Sequence, residues 1–151
     1  MSNPRSTASI GGHPLHPMLV PFPIAFFVGT LGADLMYLRD GDPFFFTMTE
    51  WLLCAGIVLA LLAAVAGFID FLGEARIRAL GIAWSHFIGN LTVVAIEAFN
   101  VWRRQSIGPD AVEGLGVMLS LAAVLLMLVT GWLGGEMVYR RRVGISDEVP
   151  L

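Results

Sequence analysis

The stretch WLLCAGIVLALLAAVAGFIDFL, Trp51–Leu72, is 22 residues long and carries one carboxylate, Asp70. Wound as an α-helix at about 1.5 Å per residue it is about 33 Å long, enough to cross the roughly 30 Å hydrocarbon layer of a bilayer. A helix that is apolar on every side belongs either in a large core or in lipid. A chain of 151 residues has no core of that size. The whole composition agrees: 56% of the residues are apolar, 14% are charged and the mean hydropathy is +0.76. Soluble domains carry about a quarter of their residues charged.

Working outward, three further stretches are long and apolar enough to span: Met18–Leu38, Leu80–Trp102 and Leu115–Tyr139. Their short connections predict an all-α integral membrane protein, an antiparallel bundle of four transmembrane helices. The bundle is expected over residues 13–142, between a flexible N-terminus at 1–12 and a C-terminal tail at 143–151. The start, MSNPRSTASIGG, is too polar for a signal peptide, so the first span is expected to stay in the mature protein. Cys54 has no partner for a disulfide. The net charge of −3 and the scattered arginines give no nucleic-acid footprint.

Arginine placement sets the expected orientation. Arg5, Arg76, Arg78, Arg140, Arg141 and Arg142 flank one end of the bundle; Arg39, Arg103 and Arg104 flank the other. Excess arginine marks the cytoplasmic side, which puts both termini there. Small residues predict close helix packing: Gly56, Ala60, Ala63, Ala64 and Gly67 in span two, and Gly131, Gly134 and Gly135 in span four. Phe44–Phe46, after RDGDP, reads as an interfacial loop or short surface helix. Asp34 is assigned to Arg39 or another loop group.

Span three breaks the apolar pattern. His86, Asn90, Glu97 and Asn100, with Val93 between them, recur at spacings that place them on one arc of a helix turning about 100° per residue. A charge at mid-membrane costs at least about 2.5–3.5 kcal/mol, so this face should look into the bundle. The other two histidines, His13 and His16, lie in GGHPLHPMLVPFPIAFF, residues 11–27. Residues before proline avoid the α region, which predicts a folded-in, proline-rich collar of non-helical backbone, with regular helix starting near Pro23. The alternative is that Pro17 opens the helix, where proline is tolerated, and the later prolines kink it. Either way His13, His16 and His86, with Asp70 and Glu136, are expected near one end of the bundle.

These segments together carry a resemblance. GGHPLHPMLVPFPIAFF, GFIDFLGEARIRALGIAWSHFIGN and GWLGGEMVYRRRVGI are similar to a bacterial four-helix membrane family called domain of unknown function 2231, over about Ile10 to Ile145. Some members are joined to Rieske-type iron–sulfur domains. The resemblance implies the bacterial inner membrane and an electron-transfer setting, although this chain has no Rieske cysteine motif.

The expected function is that of a membrane redox carrier holding a b-type haem between His86 and either His16 or His13, with Arg76 and Arg78 as propionate partners. Bundle cores commonly house such cofactors. No Cys-x-x-Cys-His motif is present for covalent attachment. The alternatives are a bare iron, zinc or copper site built from His13, His16, His86 and Asp70 or Glu136, a proton or small-solute path along the polar stripe of span three, and an accessory scaffold. No catalytic motif marks an enzyme. The lipid bilayer is the expected surrounding, with a redox protein or quinone as possible electron partners and a homodimer as a possible assembly.

Overall fold

The computed structural model describes residues 2–146. A short hairpin, β1 (Ser9–Ile10) and β2 (His13–Pro14), precedes six α-helices. These are α1 (Leu15–Leu19), α2 (Pro21–Asp40), α3 (Pro43–Gly73), α4 (Ala75–Arg78), α5 (Gly81–Ile107) and α6 (Val117–Tyr139). Among the described residues, four segments are long and apolar enough to cross a membrane: Leu15–Asp40, Pro43–Gly73, Gly81–Ile107 and Pro109–Tyr139. Around the bundle α2 packs on α3, α3 on α5, α5 on α6 and α6 back on α2, with α3 and α5 the looser pair beside α2–α3 and α5–α6.

The solvent for this fold is lipid. Leu61, Leu62, Val65, Leu125, Leu128, Val129 and Trp132 lie exposed, while Thr30, Asp34, Thr49, Glu97, Asn100, Arg104 and Ser120 are wholly buried. A water-soluble bundle has the reverse arrangement. The helices meet where side chains are smallest. A Cβ on Gly56 of α3 would lie 2.6 Å from Phe27 Cε1 of α2, and one on Gly89 of α5 would lie 2.5 Å from Thr130 Cγ2 of α6. Gly131, by contrast, faces open space, so it does not serve the packing expected of it.

Several ends differ from the sequence reading. The collar is not extended: Leu15–Leu19 is helical, Val20 is in the αR region and α2 starts at Pro21. Pro17, Pro21 and Pro23 all fall in the first turn of α1 or α2, where backbone N–H groups lack helical partners and proline costs little. Span two starts at Pro43, so Phe44–Phe46 form the first turn of α3 and not a surface loop. Asp42 caps that turn by accepting from Phe44 N at 2.9 Å. Span three continues to Ile107. It is followed by a 3-10 turn, Pro109–Ala111, and by Val112–Gly116, where Glu113 and Gly114 leave helical geometry and Gly114 takes φ +65°.

The N-terminal segment makes specific contacts with the bundle. Gly11 and Gly12, both at positive φ, turn the hairpin. Ser6 Oγ and Ala8 N–H donate to Asp70 Oδ1 at 2.9 and 2.7 Å. The two terminal segments meet, with Gly144 N–H donating to Pro4 O at 2.8 Å. Of the expected tail, residues 147–151 lie outside the described residues, whereas Val143 packs near Phe71, Ile77 and Ala83.

At the same end Glu74 accepts from Arg76 Nη2 at 2.7 Å. The Arg76 side chain is the main reason the Glu74 carboxyl sits at about 2 instead of its ordinary 4.5. A lowered carboxylate favours the folded form above its unfolded value, and the advantage fades as pH falls towards the folded one. Arg5 N–H and Arg76 both bind Glu74. The protection factor of the Arg5 amide, the intrinsic exchange rate at each pH divided by the observed one, is therefore expected to fall on acidification from about 4.5 to about 2. In Glu74→Gln that change in protection is expected to disappear.

Candidate functional site

His16 enters the bundle from α1 and His86 from α5. Each ring is fixed through Nδ1 to a helix carbonyl on a different element: His16 to Ala63 O of α3 and His86 to Thr130 O of α6, both at 2.8 Å. A carbonyl only accepts, so Nδ1 is the donor in each ring. A neutral imidazole of that tautomer has its lone pair on Nε2. The two ring centroids are 6.0 Å apart and the ring planes are nearly perpendicular, at 85°.

Glycines make room for both rings. A Cβ on Gly67 would be 2.8 Å from His16 Nδ1, and one on Gly134 would be 3.0 Å from His86 Cε1. Thr130 serves twice: its carbonyl takes His86, and its hydroxyl donates to Asn90 Oδ1 at 3.2 Å. The histidines line a cavity of about 180 Å³ whose other walls are largely apolar, including Phe27, Ala60, Ala64, Phe68, Phe87 and Met127.

A second polar cluster lies about three turns further along α5. Arg104 grips both oxygens of Asp34 on α2, Nη1 at 2.6 Å and Nη2 at 2.8 Å, and neither side chain has any exposed surface. Thr49 of α3 accepts from Arg104 Nη1 at 2.5 Å, and Ser120 of α6 donates to Asp34 Oδ2 at 2.7 Å. Asn100 accepts from Arg104 Nε at 3.2 Å and donates to Glu97 Oε2 at 3.1 Å. All four spans contribute. Phe27, Val93 and Met127, which belong to the apolar core, also line the histidine cavity.

The structure brings His16 and His86 together and leaves the other expected ligands elsewhere. His13 is exposed on β2, paired through its backbone to Ile10. Asp70 borders the cavity, but its oxygens are taken up by Ser6 and Ala8. Glu136 pairs with Arg140 at 3.3 Å. Among the described residues, no three His, Cys, Asp or Glu side chains come together to hold a metal ion. Arg76 binds Glu74 and Ser2 O, and Arg78 Nη1 donates to the carbonyls of Phe71 and Leu72 at the end of α3. Neither arginine lines the cavity.

The polar stripe of α5 does face inward, as expected: Asn90 reaches Thr130, and Glu97 and Asn100 are fully buried. Asp34 does not take Arg39, the first partner expected of it, and pairs with Arg104, which lies inside α5 and not in a loop. Arg39 bonds Asp40, its neighbour. Sequence reasoning missed Arg104, Thr49, Ser120 and Thr130. For Arg104 the signal was present. It lies four residues beyond Asn100 and seven beyond Glu97, on the same arc of the helix.

The fold is thus a four-helix membrane bundle with a paired-imidazole cavity near the end where the termini meet. The chain belongs to the family described as predicted membrane protein, DUF2231, whose model matches residues 12–147. No curated protein and no solved structure matches the chain.

Proposed function

We propose that this protein is a membrane electron carrier that binds one b-type haem through Nε2 of His16 and Nε2 of His86. The observation that carries this reading is the imidazole pair itself: two rings 6.0 Å apart at the wall of an apolar cavity. Imidazole nitrogens bind metals at about 2.0–2.1 Å, and each ring centre lies about 1 Å further back, so two axial imidazoles on one ion have centroids about 6 Å apart. The Nδ1–H bonds to Ala63 O and Thr130 O are the kind of support that holds metal-bound histidines in place.

The number of ligands separates haem from a bare ion. A porphyrin supplies four equatorial nitrogens, so two side chains complete the coordination. A bare zinc or iron needs three or more protein ligands. The cavity, open on one side, measures about 180 Å³, below the roughly 300–1,000 Å³ of typical small-molecule pockets. A flat ligand is therefore accommodated only through the open side of the cavity. Phe68 and Phe87 on that wall, stacked at 6.0 Å, suit a planar apolar ring system. A haem bound there would supply a one-electron couple, and His16 and His86 would be the residues that hold it. Its electron partner would be a quinone or a redox protein.

The same reading places both termini in the cytoplasm of a bacterial inner membrane. Arg104 is buried against Asp34 and is no interfacial charge. Six flanking arginines at the terminal end then face only Arg39 and Arg103 at the other, which widens the bias on which orientation rests.

The test is an absorption spectrum of the detergent-purified protein from haem-replete cells, oxidised and dithionite-reduced. A Soret band with α and β bands on reduction is expected, lost in both His16→Ala and His86→Ala while far-ultraviolet circular dichroism stays helical. A colourless wild-type protein, or stoichiometric metal without porphyrin, would overturn the assignment.

A further inference from the structure

Glu97 sits in the middle of the Asp34–Arg104 cluster but is not part of its charge pairing. Arg104 gives both terminal nitrogens to Asp34 and its Nε to Asn100. That unit is electrically neutral as it stands. Glu97 receives one hydrogen bond, from Asn100 Nδ2 to Oε2 at 3.1 Å, and the same nitrogen also serves Ser120 Oγ at 3.0 Å and Gly116 O at 3.4 Å. Among the described residues Glu97 Oε1 is the buried side-chain polar atom left without a partner, and the side chain has no exposed surface.

We propose that Glu97 is a proton-binding site inside the membrane, holding its carboxyl as the neutral acid at neutral pH with an exchangeable proton on Oε1. An ionised carboxylate here would be an unpaired charge away from water, with one oxygen lacking any donor. A charge in that position is far more costly than a neutral group with one unmet hydrogen bond. The charged groups of the cluster are Asp34 from α2 and Arg104 on α5 itself; α3 and α6 present the hydroxyls of Thr49 and Ser120. Asp34 repels a second negative charge, and Arg104 already has its counter-ion. Loading and unloading are a plain proton transfer: the O–H bond at Oε1 breaks, the electron pair stays on the carboxylate, and the proton leaves to water or buffer. The inference is independent of any haem.

Infrared spectroscopy of the protein in lipid at neutral pH tests it. A carbonyl stretch of a protonated carboxylic acid is expected, shifted down in D2O and absent from Glu97→Gln. Because glutamine keeps the shape and the neutral state, that variant is expected to melt at the wild-type temperature. Should Glu97→Gln not fold, carbon-13 glutamate in the wild-type protein provides the second measurement, since the same band must then shift. A band unchanged in Glu97→Gln, no acid band at neutral pH, or a band that needs sodium-free buffer to appear would each overturn the proposal. The last would make the orphan oxygen a cation ligand.

Discussion

Asp34→Ala is expected to destabilise the bundle by about 3–5 kcal/mol, the range for removing one partner of a buried ion pair. The reason lies in what stays behind. Arg104 has no exposed surface, and without Asp34 its charge would be left with only the neutral hydroxyls of Thr49 and Ser120 and the Asn100 amide oxygen. Arg104→Met strands the Asp34 carboxylate in the same way, leaving it only the Ser120 hydroxyl. Removing both charges together with Asp34→Leu and Arg104→Met is expected to bring stability back to within about 1 kcal/mol of wild type, because well-packed apolar groups often replace a buried pair without loss. Thr49→Val, which deletes one hydroxyl from the cluster, is expected to cost only about 0.6–1.7 kcal/mol, the size of interhelical hydrogen bonds measured in membranes. Equilibrium unfolding in mixed micelles measures all four. Equal losses for Asp34→Ala and Thr49→Val would mean that water reaches Arg104 and the pair is not dry.

Gly67→Val is the corresponding change at the histidine cavity, and its effect is expected on binding. A Cβ at this position would already press on the His16 ring, 2.8 Å from Nδ1. Valine adds two methyl groups, so the ring must leave Ala63 O, its 2.8 Å anchor. Loss of such an anchor costs about 10–100-fold in metal affinity where it has been measured. On the proposed haem assignment, the dissociation constant for haem is therefore expected to rise by about 10–100-fold, with a lower haem-to-protein ratio after purification as its sign. Gly131→Val, on a helix face with open space around it, is the control and is expected to retain wild-type haem. A wild-type ratio in Gly67→Val would show that His16 does not need its carbonyl anchor.

Much of this architecture could be read from the chain because lipid imposes simple rules. Apolar length sets a span, and the recurrence of His86, Asn90, Val93, Glu97 and Asn100 sets an inward face. Two kinds of information were not local. Proline rules describe an isolated dipeptide, whereas Pro17, Pro21 and Pro23 sit in first turns where the missing N–H is no loss, so the collar is helical. Charge pairing was harder still. Arg39 is five residues from Asp34 and the true partner, Arg104, is seventy away. Nearness in sequence favoured the wrong one. An arginine next to Trp102 also resembles an interfacial anchor with its stem in lipid and its head in water. Only the Arg104–Asp34 ion pair, which joins α5 to α2 inside the bundle, shows otherwise.

The contacts that span the chain dictate an order of assembly. Helices enter a membrane as they leave the ribosome, first span first. Asp34 is therefore in the bilayer before Arg104, seventy residues downstream, has been translated. Ser120, the other partner, arrives later still, eighty-six residues behind. The His86 anchor likewise waits for Thr130 on the last helix. Until the third span is in place the nascent chain holds a lone carboxylate in lipid, and until the fourth is in place the His86 imidazole has no fixed direction. A chain stopped before the third span thus leaves that acid without its partner, and only the assembled bundle hides it.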